Sequence, residues 1–231
     1  AVLVGSFDRA NLVYRILPKQ DVYAQTATVL RRHAGQAAIV YCLSRADTEV
    51  MAEYLRSQKI RAAHYHAGLD ADTRRRTQDD FAAEKTDVVV ATVAFGMGID
   101  RSDVRCVIHA AVPKSVEHYQ QETGRAGRDG LEAECVLFYS FSDVARWEGL
   151  IDKSAAEASA PAEVAEAAKQ LLRHVQRYCN AGDCRHHAIS EYFGQPYERP
   201  SCGACDACLG EIEGLADATV TAQQILSCVA R

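Results

Sequence analysis

Five of the nine cysteines lie close together near the end of the chain: Cys179, Cys184, Cys202, Cys205 and Cys208. The last three form a C-x2-C-x2-C pattern, which supplies three thiolates from one loop. A tetrahedral metal ion needs a fourth ligand, and the candidates are Cys184, Cys179, His186 and His187. An iron–sulfur cluster also accepts four thiolates, but the ferredoxin continuation C-x3-C-P is absent after Cys208. The pattern predicts a metal site, and both zinc and iron stay open as its occupant.

A second group of residues with clear chemistry is the stretch Gln121–Gly130, QETGRAGRDG. Arg125 and Arg128 are three residues apart, so on a turn they project the same way. The interleaved glycines leave room for an approaching polyanion. A helix end with two solvated arginines does not account for three glycines between and beside them. The stretch therefore predicts a contact with phosphate.

Apolar runs alternate with helical stretches from Asp8 to about Ser140, which is typical of a parallel sheet covered by helices on both faces. We expect an α/β fold with a parallel sheet flanked by helices, followed by a small helical metal-binding domain. Ser44, Asp70 and Ser115 stand where helix N-caps belong. The predicted strands are Leu12–Leu17, Ala37–Cys42, Ile60–Tyr65, Asp87–Ala91, Val104–His109 and Glu134–Tyr139.

Polar side chains and glycines follow four of these strands, and the carboxyl ends of parallel strands meet at one edge of a sheet. Hydroxyls, cations and exposed backbone amides at such an edge suit phosphate groups. Loops are polar in any protein, so this signal is weaker than the two motifs above. The residues concerned are Ser44, Arg45, His66, Thr92 and Lys114.

Composition narrows the class of protein. A hydrophobic content of 48% and a charged content of 25% exclude disordered and fibrous chains. The net charge of -5 argues mildly against a general nucleic-acid coat. No apolar run is long enough to cross a membrane, so no membrane partner is expected. An odd number of cysteines without a secretory signal favours a reducing intracellular compartment, which is the cytoplasm or bacterial nucleoid, or the nucleus.

The segment Asp152–Pro161 is small, polar and ends in proline, so it is the best linker candidate. We therefore expect a first domain over 1–150, a helical metal domain over 151–210 and a further segment over 211–231. The last of these holds an amphipathic helix at Thr219–Val229. The chain does not begin with Met, so we expect it to be part of a longer protein.

The motifs resemble, in order and spacing, the second motor lobe of RecQ-family DNA helicases, and the resemblance implies that the parallel sheet is RecA-like. Gln121–Gly130 resembles the sixth motif of superfamily-two helicases, Asp87–Asp100 the fifth, and AIVYCLSR the fourth. YHAGL, residues 65–69, is similar to the family's element between the fourth and fifth motifs. SFDRANL resembles the entry into the lobe, with Ala10 where the family usually has Pro. The cysteine pattern and Tyr192–Gly194 resemble the RecQ zinc domain, and 218–231 resembles the first helix of the winged-helix domain that follows it.

The resemblance implies a part of the motor of an ATP-dependent 3′-to-5′ DNA helicase, with roles in DNA repair, recombination and replication. It implies that Arg128 is the arginine finger, supported by Arg125, and that Gly98, Asp100 and Gln121 lie on the nucleotide side of the cleft. The residues expected to hold DNA, single-stranded or at branched and duplex junctions, are Ser44, Arg45, His66, Thr92 and Lys114. The ligands implied for Zn²⁺ are Cys184, Cys202, Cys205 and Cys208.

No Lys follows a Gly in this chain, so it has no G-x-x-x-x-G-K-[ST] phosphate loop, and no Asp-Glu pair is present to hold magnesium. The resemblance implies that both lie in a first lobe, which would bind ATP and Mg²⁺, and that this chain alone is inactive. Two alternatives stay open. One is an RNA helicase lobe of the DEAD-box kind, and the other is a non-catalytic zinc-dependent DNA-binding or scaffold protein.

Overall fold

A computed structural model describes residues 7–92, 101–212 and 218–229. Six parallel strands form one sheet in the order β1-β6-β5-β2-β4-β3. The predicted parallel α/β sheet is confirmed, with strand ends within two residues of the expected ones. The strands are β1 (Leu12–Pro18), β2 (Ala37–Tyr41), β3 (Ala62–Tyr65), β4 (Val88–Ala91), β5 (Val104–His109) and β6 (Ala133–Tyr139).

Eight helices accompany the sheet in the described part of the chain. Ser44, Asp70 and Ser115 are the N-caps of α2, α3 and α4, and each side chain accepts a backbone N–H of the first turn. The helices are α1 (Val22–Arg32), α2 (Arg45–Ser57), α3 (Ala71–Ala82), α4 (Val116–Thr123), α5 (Phe141–Glu157), α6 (Ala162–Asn180), α7 (Arg185–Tyr192) and α8 (Ala218–Val229).

Alternate residues of each central strand enter two separate apolar clusters, one on each face of the sheet. In β2, Ala38 and Val40 pack with α1 and α2, whereas Ile39 and Tyr41 face the cluster that includes Tyr119 of α4. This alternation is the two-residue period of a strand. Leu172, Val175 and Tyr178 of α6 belong to that second cluster. The helical domain therefore shares one core with the sheet.

Helix α5 was not predicted, and the proposed linker was partly wrong. α5 extends from Phe141 to Glu157, so residues 152–157 are helical and the expected boundary between 150 and 151 lies inside a helix. Ser140 caps α5 by accepting the N–H of Asp143. Trp147 and Ile151 pack against the shared core, and the Trp147 indole N–H donates to the carbonyl of Val112 at 2.7 Å. This side chain fixes α5 to the end of β5.

The predicted terminal helix is present as α8 (Ala218–Val229). Its apolar side chains Val220, Ile225, Leu226 and Val229 are exposed. Across the described residues, none of the helices combines the length and the apolar character that crossing a bilayer requires.

Candidate functional site: a four-cysteine cluster and an arginine turn

Cys184, Cys202, Cys205 and Cys208 converge in space, and all four sulfur atoms lie within 4.8 Å of one another. Cys184 is the N-cap of α7, and the other three lie in the loop formed by residues 202–208. Each thiolate contributes one ligand, so the set has the number and chemistry that a tetrahedral zinc ion uses. Of the fourth ligands left open by the spacing, the fold brings Cys184 to the other three.

Backbone amides turn toward these sulfurs. The N–H of Ala204 donates to Cys202 Sγ at 3.3 Å, and the N–H of Cys208 donates to Cys205 Sγ at 3.4 Å. Such donors stabilise negative charge on sulfur. Burial raises the pKa of the Cys202 and Cys205 thiols. At Cys208, hydrogen bonds from the Ser201 side chain and the Cys202 backbone outweigh burial and lower the pKa to about 6. The four sulfurs and the backbone donors around them therefore fit a metal ion with thiolate ligands.

The remaining candidate ligands are used elsewhere. His186 is buried, with Nδ1 2.7 Å from Asp8 and Nε2 2.9 Å from the carbonyl oxygen of Leu12. His187 lies 3.0 Å from Glu191 on its own helix. Burial raises the pKa of the Cys179 thiol. The Arg185 guanidinium is buried against Asp206 at 2.8 Å. Its backbone N–H does donate to Cys205 Sγ, at 3.5 Å.

The cysteine loop extends the edge of the sheet. β1 is an edge strand, and Tyr14 forms a parallel bridge with Cys205. The N–H of Tyr14 donates to the carbonyl of Ala204 at 3.1 Å, and the N–H of Asp206 donates to the carbonyl of Tyr14 at 2.9 Å. Pairing satisfies backbone groups that an exposed edge would leave to other chains. The four-cysteine cluster is therefore connected to the sheet by backbone hydrogen bonds.

The arginine turn, which we define as residues 124–131, connects α4 to β6. Gly127 has a φ of +56° and donates its N–H to the carbonyl of Val104 at 2.9 Å. Its own carbonyl accepts from Arg9 Nη2 at 2.7 Å and from Asn11 Nδ2 at 2.9 Å. A side chain at 127 would overlap Asn11 and lie 2.7 Å from the carbonyl of Leu131. Glycine is required here, and the turn is held from two sides.

We expect Gly127→Ala to destabilise the protein more than Gly130→Ala. Both positions have positive φ, which costs an alanine about 1–2 kcal/mol. Only at 127 does the new methyl group meet neighbouring atoms, which adds about 1–3 kcal/mol, whereas the space beside Gly130 is open. Chemical denaturation of the two variants measures the difference. Equal losses of stability would contradict the crowding described for Gly127.

Arg125 and Arg128 lie on this turn beside a buried polar network. Burial raises the pKa of the Tyr41 hydroxyl, and the Arg125 guanidinium, which hydrogen-bonds to it, acts in the opposite direction. In the same network, the Glu122 carboxylate lies 2.7 Å from His109 Nε2, and both of these residues are buried. Arg128 is exposed, and its Nε is 3.5 Å from the carbonyl of Gly124. Arg125 is thus half-buried in the turn, whereas Arg128 is exposed on it.

The residues expected to hold nucleic acid follow β2, β3, β4 and β5, which are four adjacent strands of the parallel sheet. The fold therefore brings these loops to one edge. Arg45 and Lys114 are exposed, and Thr92 is half-buried. The Ser44 hydroxyl caps α2, and its backbone N–H donates to Asp47.

His66 is placed differently from the other four. Its ring is buried, with Nε2 2.9 Å from Glu49, and its Nδ1 accepts the N–H of Gly68 at 3.2 Å. The fold therefore uses His66 to shape the loop. Among the residues expected near the nucleotide, Gln121 is exposed on α4, whereas Gly98 and Asp100 lie outside the described residues.

Comparison with family models divides the chain in two. Residues 21–130 match the helicase conserved C-terminal domain, and residues 141–209 match the RecQ zinc-binding region. The ATP-dependent DNA helicase RecQ of Pasteurella multocida is 40% identical over 235 residues, which cover all of this chain and 35% of that protein. The chain belongs to the RecQ family. The arginine turn lies at the end of the first match, and the four cysteines lie in the second.

Other RecQ relatives agree. The RecQ helicase of Bacillus subtilis is 37% identical over 97% of this chain and 37% of its own length. The ATP-dependent DNA helicase hus2/rqh1 of Schizosaccharomyces pombe is 43% identical over 90% of this chain and 16% of its own length. The chain thus spans between about a sixth and somewhat over a third of these relatives, and it corresponds to the C-terminal part of the RecQ motor.

Solved structures support the fold. A DEAD box protein from Methanococcus jannaschii has a TM-score of 0.52 at 23% identity, covering 63% of this chain and 40% of that one. The C-terminal domain of the DEAD-box protein Dbp5 has a TM-score of 0.51 at 19% identity, covering 63% and 86%. The sheet of this RecQ chain therefore has the same fold as the matched parts of these two structures. The match to the RecQ zinc-binding region begins at 141, so α5, missed in the sequence, belongs to that part.

Proposed function

We propose that this chain acts as the second lobe and zinc-binding module of an ATP-dependent 3′-to-5′ DNA helicase. The observation that carries the proposal is the arginine turn, which is fixed against the sheet through Gly127 and presents Arg128 outward. ATP would lie between this lobe and one that carries a phosphate loop. Catalysis of phosphoryl transfer depends on positioning and charge stabilisation, and an arginine from the second lobe supplies both.

Arg128 offsets the charge that develops on the γ-phosphate, and Arg125 supports the turn from beneath through Tyr41. A guanidinium offers a planar fork of donors to phosphate oxygens, which an ammonium cannot reproduce. Gln121, exposed in the last turn of α4, faces the same nucleotide. Gly98 and Asp100 complete the nucleotide side in this proposal, as their motif implies, and Mg²⁺ is held mainly by the other lobe.

DNA binds across the edge formed by the carboxyl ends of β2, β3, β4 and β5. Arg45 and Lys114 supply cations to the phosphate backbone, while Ser44 and Thr92 supply hydroxyl or backbone donors. His66 acts here by orienting its loop through Glu49 and Gly68. Contacts of this kind hold the strand in register without reading its bases. Opening and closing of the cleft would then move the lobe along the strand.

The four cysteines hold one Zn²⁺ ion in this proposal, which supplies a structural cross-link and no chemistry of its own. The support is the convergence of four sulfurs, backbone N–H donors aimed at them and the match to the RecQ zinc-binding region. The segment is tied to β1 through Tyr14, so the module extends the lobe.

We expect the 231-residue chain to bind single-stranded DNA weakly, without sequence preference and with strong dependence on salt. Few cations face the edge on a chain of net charge -5. Each phosphate neutralised on a single strand adds about 0.7 to the slope of log affinity against log salt. Lys114→Ala should therefore reduce that slope by about 0.7. Fluorescence anisotropy of a labelled strand at several salt concentrations measures it.

The matched control is Arg31→Ala. Arg31 lies in the last turn of α1, near the amino ends of the strands, and contacts the Gln58 side chain there. Loss of this cation should leave the slope unchanged. If Arg31→Ala and Lys114→Ala lowered the slope equally, DNA would be attracted by overall charge and the proposed edge would be refuted. Tight binding that ignores salt, or a preference for RNA, would point to the DEAD-box alternative or to a different surface.

A further inference from the structure

Residues 7–11, which we call the coupling segment, lie between the zinc-binding region and α4. The Phe7 ring stacks on Phe193 with a centroid separation of 4.3 Å, and its backbone N–H donates to the Gln195 side chain at 2.7 Å. Asp8 lies 2.7 Å from His186, which is buried. This end of the segment is thus fixed to α7 and to the chain that follows it.

The other side of the coupling segment contacts the arginine turn. Arg9 Nη2 donates to the carbonyls of Ala126 at 3.1 Å and Gly127 at 2.7 Å. Asn11 Nδ2 donates to the carbonyls of Gly127 at 2.9 Å and Leu131 at 2.8 Å. These four hydrogen bonds come from only two side chains, and the carbonyl of Gly127 accepts one from each.

The chemistry of these contacts favours Arg9 as the stronger of the two. A guanidinium is always charged and donates charge-assisted hydrogen bonds, which are about twice as strong as neutral ones. The carbonyls that it contacts follow the carboxyl end of α4, where the helix dipole favours a cation. Arg128 is the residue after Gly127, so the peptide that Arg9 holds is the one that leads into Arg128. A shift of that carbonyl moves the start of the Arg128 side chain with it.

We propose that Arg9 is a positioning residue for ATP hydrolysis: it fixes the Gly127 carbonyl and thereby the direction in which Arg128 points. Asn11 provides the second point of attachment. The proposal rests on the assignment of Arg128 as the arginine finger. Arg9 itself touches no reacting atom. Its effect should appear in turnover and leave the binding of ATP largely unchanged.

The test compares Arg9→Gln with Arg15→Gln in the full-length protein. Arg15 lies on β1 just after the coupling segment, and its guanidinium pairs with Glu134 and Glu211 and does not contact the turn. Misplacement of a catalytic group by about 1 Å can cost about 10²-fold, so Arg9→Gln should lower kcat by about 10- to 100-fold, with KM for ATP within about twofold. Arg15→Gln should leave kcat unchanged. Arg9→Lys, which keeps the charge but replaces the planar fork by a single ammonium nitrogen, should give an intermediate kcat.

A double variant separates positioning from general destabilisation. If Arg9 acts through Arg128, adding Arg9→Gln to Arg128→Ala should lower single-turnover hydrolysis no further. A further loss by the same factor as in the single variant, or an unchanged kcat in Arg9→Gln, would overturn the role of Arg9. An unchanged turnover in Arg128→Ala would instead refute the finger itself. The two failures are therefore distinguishable.

Discussion

Replacing Arg128 by Ala in the full-length protein is expected to lower ATP turnover by about 10³- to 10⁵-fold, the range that arginine fingers supply. The affinity for ATP should stay close to normal, because the charge that Arg128 offsets develops only in the transition state. The turn that carries Arg128 is fixed by Gly127, Arg9 and Asn11, so shortening the exposed side chain should leave the fold intact. ATP affinity and DNA-stimulated turnover are measured separately.

Two further variants sharpen this prediction. Arg128→Lys should not restore turnover, since an ammonium lacks the planar fork of donors. Arg76→Ala, which removes an exposed arginine of α3, should leave turnover unchanged. The chain alone should not hydrolyse ATP, because no Gly in it is followed by Lys. Near-normal turnover in Arg128→Ala, or hydrolysis by the chain alone, would refute the division of labour between two lobes.

Local signals in the sequence were sufficient for most of the sheet. Runs such as AAIVY and VVVA are buried on both faces, and only a parallel sheet covered twice by helices buries such runs completely. Ser44, Asp70 and Ser115 could be assigned as caps because a hydroxyl or carboxylate before a helical stretch satisfies free N–H groups. Both features depend on neighbouring residues only.

Helix α5 shows where such signals fail. Its second half reads DKSAAE, which is polar and small and resembles a linker. The signal that could have found it is Ser140 with Asp143, followed by Val144, Trp147 and Ile151 at helical spacing. Only Val144 of these three is fully buried, so the helix is stabilised mainly by packing on α6 and by the Trp147 hydrogen bond. The partner of that hydrogen bond, Val112, lies 35 residues earlier in the chain, so no local pattern indicates it.

The candidate sites divide in the same way. The cysteine spacing and the interleaved Gly-Arg pattern are local, and both could be read directly. The contacts of Arg9 and Asn11 could not be predicted, because their partners lie more than 100 positions away in the sequence. The contact of Asp206 could not be predicted either, because it depends on a buried ion pair with Arg185. His66 follows a strand as expected, but its burial against Glu49 is a tertiary feature with no counterpart in local sequence.

After the loss of turnover expected for Arg128→Ala, the largest expected effect is the loss of zinc and local folding when metal ligands are removed. We expect the double substitution Cys205→Ser/Cys208→Ser to abolish zinc binding and to unfold the segment between α6 and Ile212. Few large aliphatic side chains support residues 183–209, so metal binding should contribute directly to their folding. Structural zinc contributes about 10–16 kcal/mol to the folding of small zinc-binding peptides, so its loss should be a large change for one short segment. Elemental analysis and hydrogen exchange measure the two effects.

The loss should extend into the sheet along a defined route. Cys205 bridges to Tyr14, and Asp206 accepts the N–H of Ile16 at 2.9 Å, so β1 should lose protection together with the cysteine loop. β2 and β4, in the middle of the sheet, should keep theirs, because no described residue of the loop pairs with them. The control is Cys228→Ser, which removes an exposed thiol of α8 and should change neither zinc content nor exchange. Full zinc retention in the double variant would refute the ligand set, whereas loss of zinc with β1 still protected would show that the edge pairing is stable without the metal.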